Sequence, residues 1–466
     1  MSTKGIILSL SGHVDRNTSK AITALGACSK FSRAGLLLLV VLSALVTAAH
    51  AQSYYYVDCS GTNPNDYATI GSALAVAGPG SYVIVTGTCN ENVTISNAWN
   101  LNVGAAYGQT ANIAGGVTVT GSNSVFLYGL NVTNPSGDAF NITSSHNVTL
   151  WTCTANGNQG SGVSLHNLSD VTVDGPGSFD ENVGGGMNVG DNSILTVLAF
   201  AGPVDISGNH GAGVGVGGGA EFVTLGNTTI ENNINTAAPG ATRQDGFGIQ
   251  EVSASKAQVA TCYGGNQISG NESGGIDVRE HSFLSIWGCG AAGGNILQNN
   301  GAVGLEVGLG SEVALYSDVV ISGHTGSGVE LYAQGQLYMF GPNVISQNGS
   351  AGDPRSAGVV VDGNSEAYLR GGTLSKNEGP GILALVNSSV DSVGATFSGN
   401  ADGNVTCDSS AYLVSDLLPS NPHHGVVCRT PHHLGNRHDR SFAPVAPDFT
   451  QQVNRAAQYK KFASRK

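Results

Sequence analysis

The 466-residue chain carries 68 Gly, only 11% charged residues and a formal net charge of −13 at pH 7. Plentiful Val, Ile and Leu at periodic positions exclude a disordered Gly-rich chain, and the excess of turn residues over strong helix formers favours β structure. Charge is unevenly spread: residues 52–428 hold 6 Lys+Arg against 29 Asp+Glu, an acidic body that repels DNA and other polyanions and suits cationic groups, neutral sugars or metal ions.

Residues 1–51 read as an export signal with a long leading region. Lys30 and Arg33 precede the apolar run Leu36–Val46, and Ala49-His50-Ala51 forms a small-x-small cleavage site before Gln52. The apolar run is shorter than the roughly 20 residues that span a bilayer. Cleavage after Ala51 is expected, with an uncleaved anchor as the alternative. Export places the body outside the cytoplasm, secreted or at the cell surface, where disulfides are permitted. Cys28 falls in the leader. Of the other seven cysteines, Cys59 with Cys89 would brace the start of the body and Cys407 with Cys428 its end. Seven is odd, so at least one thiol stays unpaired or pairs outside the chain.

The body opens with "YATIGSALAVAGPGSYVIVTGTCNENVTI", which predicts a short helix over Ile70 to Ala77, a Pro-Gly break and then a strand. Beyond it one phrase recurs: "ISGNHGAGVGV", "ISGNESGGIDV", "ILQNNGAVGLEV", "ISGHTGSGVEL", "LSKNEGPGILA". Its glycine-hydrophobic step falls at Phe140, Val163, Met187, Val214, Phe247, Ile276, Leu305, Val329, Val359 and Ile382, a spacing of 23 to 33 residues. Such a period signals a solenoid. Each unit holds three alternating segments, for example "GIDV", "FLSIW" and "NILQNN". Alternation means strands, and three strands per coil mean a triangular cross-section. The expectation is an all-β solenoid of about ten coils, with aliphatics stacked inward and polar corners outside. Asn182, Asn209, Asn233, Asn271, Asn300, Asn348, Asn377 and Asn400 are placed at corners because Asn and Gly tolerate left-handed backbone. There they would stack as an amide ladder, with His324 substituting in one coil.

With its N-terminal helix covering the open end of the stack, residues 54–428 resemble the pectin-lyase-like right-handed parallel β-helix superfamily. The resemblance implies the fold and its helical cap, and is unspecific for activity. Cys262 and Cys289 occupy equivalent places in consecutive coils. Either a disulfide or two buried thiols in the core column fits that spacing.

Residues 429–466 form a basic, loosely ordered tail, with a short helix over Gln451 to Phe462. His423, His424, His432, His433 and His438 near and within it have no spacing that forces a metal site.

The outward column after the Asn corner reads Asn141, Ser164, Asn188, Gly215, Gly248, Asp277, Glu306, Glu330, Val360, Leu383. Three carboxylates thus stand in adjacent coils, with Arg279 one outward position along from Asp277. Two insertions, Ile234–Gly246 and Gly349–Ala357, leave the stack at the same corner and would wall a groove, each carrying an arginine, Arg243 and Arg355. Tyr332 lies on the strip, where it could stack on a sugar ring. Carboxylates one coil apart approach the ~5 Å of retaining glycosidases, and two coils apart the ~6.5–9.5 Å of inverting ones. The same acids could hold Ca²⁺ while an arginine takes a proton beside a uronate. A plain solvated acidic face is the competing reading.

The residue sets of polygalacturonases and pectin methylesterases are missing, and "GNHG" at Gly208–Gly211 reads as a corner. The leading expectation is therefore a secreted β-helix that binds polysaccharide or a surface component without a conventional active site and without an obligatory cofactor. A polysaccharide lyase or glycoside hydrolase is the first rival, and a rigid spacer or adhesin the second.

Overall fold

A computed structural model describes residues 52–235, 246–289, 293–353, 355–415 and Cys428. The export signal, Arg243, the basic tail with its short helix, and the five tail-region histidines lie outside the described residues. Strands run from Tyr54–Asp58 to Tyr412–Ser415 and form three entirely parallel sheets. The first has 15 strands, and the second and third have 13 each. Each turn of chain visits the first sheet, then the third, then the second, so each strand pairs with its counterpart one turn on.

The stack therefore has thirteen full turns, not about ten. The additional turns lie at the ends, with second-sheet strands Val93–Ser96, Val117–Thr120 and Val405–Cys407. Their marks in the sequence are weaker. No ladder asparagine precedes Val117, and the last of these strands has one aliphatic residue.

Alternation along each strand sends one set of side chains into a continuous apolar column. Ile276, Leu305, Val329, Val359 and Ile382 stand in register in successive turns, all buried. Each contributes roughly 1.5–3 kcal/mol on leaving water, but only because the turns above and below cover it. The helical cap protects the first end. Helix Ile70–Leu74, three residues shorter than expected, buries Ile70 and Ala73. Thr69 Oγ1 accepts from the Ser72 amide, and Glu91 accepts from the Ile70 and Gly71 amides at 2.6 and 3.0 Å.

The asparagines form a ladder, but inside the column and not on the outside of the corner. Asn158, Asn182, Asn209, Asn233, Asn271 and Asn300 are all buried. Asn271 Oδ1 accepts from the Asn233 backbone and side-chain N–H groups, while its own Nδ2 donates to Ile230 O and Asn300 Oδ1. The left-handed backbone belongs to the residue before each rung: Glu181, Gly208, Asn232, Gly270, Asn299, Gln347, Lys376 and Gly399. That one left-handed residue turns the chain, so the following amide faces inward and satisfies corner N–H groups that no strand reaches. A second ladder, unforeseen, runs along the corner between the second and first sheets. There Ser145, Ser169 and Ser193 accept in turn from the amides of Ser122, Ser145 and Ser169, and Ser282 and Ser311 repeat the pattern.

Cys59–Cys89 and Cys407–Cys428 are bonded as expected. Cys262 and Cys289 are also bonded, with α-carbons 4.8 Å apart. The bond lies outside the central column: Cys262 packs beside Tyr263 and Trp287 over Leu198, Val223, Leu225 and Ala260, and Cys289 is exposed, which rules out the pair of core thiols. Cys153 is buried and unbonded, and burial pushes its thiol up to about 12.

Removing a rung leaves several buried polar groups unsatisfied, each costing about 1–3 kcal/mol. Asn271→Ala should therefore lower unfolding stability by at least that amount in urea titration. His324 is a defect in the ladder that carries its own pH signature. Its Nδ1 accepts from the Asn300 amide and its Nε2 donates to Leu297 O, and burial holds the imidazole down at about 4. The unfolded chain takes up this proton near 6.5, so below that pH the unfolded state binds more protons and gains on the folded one. The stability difference between His324→Asn and the parent, followed by urea titration from pH 7 to pH 4, should grow in favour of the variant as pH falls through this window.

Candidate functional site

The outward column of the second sheet is set by strand register. It runs Asn141, Ser164, Asn188, Gly215, Gln250, Asp277, Glu306, Glu330, Val360, Leu383. Gln250 stands where Gly248 was expected. In strand Phe247–Glu251 it is Ile249, not Phe247, that aligns with Val214 and Ile276. Gly246-Phe247 and Gly248-Ile249 offer the same step two residues apart, and a shift of two preserves which residues face outward. Only the pairing distinguishes them.

Asp277, Glu306 and Glu330 do stand in adjacent turns. Asp277 is fully buried at the foot of the strip. Its Oδ2 is ion-paired with Arg279 and accepts from Gln250 Nε2 at 3.3 Å, while Oδ1 has no hydrogen-bond partner among the described residues. Burial raises its carboxyl to about 6 against the opposing pull of Arg279. Tyr332 is half-buried and hydrogen-bonded to Arg279, and burial first, then Glu306, raise its phenol far above the ordinary range. The phenol ring lies across Gly308, where a Cβ would come 2.2 Å from it. Glycine at that turn is what lets Tyr332 reach back to the arginine. The ring is thus committed to the strip, with one face against backbone.

The insertion Gly349–Ala357 folds over the same column. Ser327 Oγ donates to Arg355 O, and the Arg355 amide donates to Asp353 Oδ1. So placed, the Arg355 guanidinium donates to Glu330 Oε1 at 2.8 Å and Asp362 Oδ2 at 3.0 Å. Of the other insertion only its ends, Ile234–Asn235 and Gly246, are described, so Arg243 has no position here.

Two acids escaped the sequence reading. Asp362 lies two residues beyond Val360, and continuing the outward parity would have found it. Glu251 pairs in register with Val216 and Val278 and therefore points inward. Its Oε1 accepts from the Phe283 amide at 3.1 Å, and burial raises its carboxyl well above the usual range. It is a buried acid in the core, one turn before Asp277. An acid at an inward position of "FGIQEV" was the available signal.

The strip thus joins Asp277, Arg279, Tyr332 and Glu306, and beside them Glu330, Arg355 and Asp362. Asp277, Glu330 and Asp362 are held by guanidinium groups, so the strip presents fixed, mutually neutralised donors and acceptors. A glycosidase pair needs two carboxyls facing the same bond from a solvent-accessible cleft. Asp277 is buried and Glu330 is bound to Arg355, which fits that chemistry poorly.

No protein-family model matches the chain, and no curated protein matches it in sequence. Among solved structures it is similar in backbone course to the pectate lyase Pel9A (15% identity, 64% of this chain and 78% of that one, TM-score 0.44). It is likewise similar to the A-module of the mannuronan C-5 epimerase AlgE4 of Azotobacter vinelandii (15%, 73% and 91%, 0.42) and to PfbA, a surface adhesin of Streptococcus pneumoniae (11%, 76% and 92%, 0.37). These are parallel β-helix proteins, as this chain is, and they differ too much among themselves in stated role for any activity to follow.

Proposed function

We propose that this chain is an extracellular β-helix that binds a neutral, hydroxyl-rich polysaccharide along the second sheet, on the strip from Asp277 to Asp362, without cleaving it. The observation that carries this reading is Arg355, held by its own loop across Glu330 and Asp362. A guanidinium fixed before a ligand arrives loses little conformational freedom on binding. Its N–H groups and the adjacent carboxylate oxygens match the alternating donors and acceptors of sugar hydroxyls. The acidic body disfavours polyanionic glycans, and three disulfides suit an oxidising compartment. Calcium is not required on this reading, because guanidinium groups already answer the carboxylates that would gather round it.

On a panel of polysaccharides, Glu306→Ala and Arg355→Ala should each weaken binding of a neutral glycan about tenfold or more, about 1.4 kcal/mol, and EDTA should leave it unchanged. Release of reducing ends would identify a hydrolase instead, new unsaturated-uronate absorbance a lyase, and no binding at all a spacer or adhesin. Below pH about 6 Asp277 takes up a proton and Arg279 loses its anionic partner. Affinity measured by calorimetry should fall between pH 7 and pH 5, and Asp277→Asn should show the weaker affinity already at pH 7.

A further inference from the structure

Three turns before Gln250, the same sheet carries a second constellation. Ser164 and His166 are successive outward residues of strand Val163–His166. Ser164 Oγ lies 2.9 Å from His166 Nε2, and His166 Nδ1 lies 3.3 Å from Asp191 Oδ2. The neighbouring turn explains how they meet. Gly190 lies beneath the imidazole, where even a Cβ would sit 3.8 Å from Nδ1. Asp191 follows at φ +53°, a left-handed corner that faces back one turn. Hydroxyl, imidazole and carboxylate thus stand in the order of an activated nucleophile, its base and the group that orients the base.

We propose that Ser164, His166 and Asp191 form a nucleophilic centre that hydrolyses small-acyl esters. Ser164 is only 5% exposed, which favours a small acyl group such as acetyl over longer chains. Asn141 is the neighbour of Ser164 one turn back. Its Oδ1 accepts from Thr143 Oγ1, and its Nδ2, which makes no hydrogen bond among the described residues, is the donor available to a developing oxyanion. In the reaction Ser164 Oγ attacks the acyl carbon as His166 Nε2 takes the hydroxyl proton. The tetrahedral adduct collapses to acyl-serine, and the alcohol leaves with that proton. A water molecule then attacks, its proton passing to His166 and on to Ser164 Oγ, and the carboxylic acid departs. Ester and water become acid and alcohol. Asp191 acts through the imidazole and is a positioning residue.

The test uses the full chain and p-nitrophenyl acetate, which involves no glycan, so its outcome is independent of the polysaccharide reading. Acid-quenched reaction mixtures mapped by mass spectrometry should carry an acetyl group on Ser164. Ser164→Ala and His166→Ala should each cut turnover about 10³-fold or more. Asp191→Asn should cut kcat and shift the pH profile of kcat/KM, a shift that loss of folding alone would not give. Butyrate and hexanoate esters should be progressively poorer substrates. Acetylation elsewhere with none at Ser164 in the parent protein, or turnover equal in parent and Ser164→Ala, overturns the proposal, and the first of these needs no variant to fold.

Discussion

The whole described body depends on one repeated contact, a strand lying parallel to its own counterpart one turn later, about 4.8 Å away. A lone turn has nowhere to bury its inward aliphatics and no partners for its backbone. Stacking supplies both at once, so stability is a sum of interfaces between neighbours and not the property of any single turn. The two polar ladders extend the same logic to the corners. Where the ribbon bends, strand hydrogen bonds lapse, and a buried asparagine amide or serine hydroxyl takes the orphaned N–H of the turn before. Uncompensated, such groups would cost several kcal/mol per corner, which is why one left-handed residue precedes each asparagine rung.

The stack also dictates how chemistry can be displayed. Outward residues of consecutive turns are neighbours, so a functional surface is written as a column, one residue per turn, across distant parts of the sequence. Glu306 and Glu330 are 24 residues apart in the chain and adjacent in space. Like charges in such a column repel, and the protein answers with Arg279 from within the sheet and Arg355 from a loop. The first arrangement is largely buried and the second half exposed. The strip is accordingly rigid at its foot and open at its wall, a suitable division for a surface that must hold its shape while meeting solvent-borne hydroxyls.

Glycine has two distinct uses here. At the corners it supplies left-handed backbone, as at Gly208 and Gly270. On the outward column it supplies absence: Gly308 admits the Tyr332 ring, which a Cβ would meet at 2.2 Å.

The solenoid, its three strands per turn, the inward aliphatics and the asparagine ladder from Asn182 onward, though not its rung at Asn158, were legible in the sequence, because a period of two within strands and a recurring phrase between them are local signals. So was the acidic column from Asp277 to Glu330, since parity propagates from turn to turn without knowledge of contacts. What sequence could not decide is whatever depends on register or on the path of a corner. Phe247 and Ile249 share parity, so only pairing places Gln250 beside Asp277. The asparagines look like outer corner residues until the left-handed residue before them turns their amides inward. The bonds of Arg355 to Glu330 and Asp362, and of His166 to Ser164 and Asp191, join neighbouring turns, and only the tertiary stack, by fixing which turn lies beside which, brings those groups within reach.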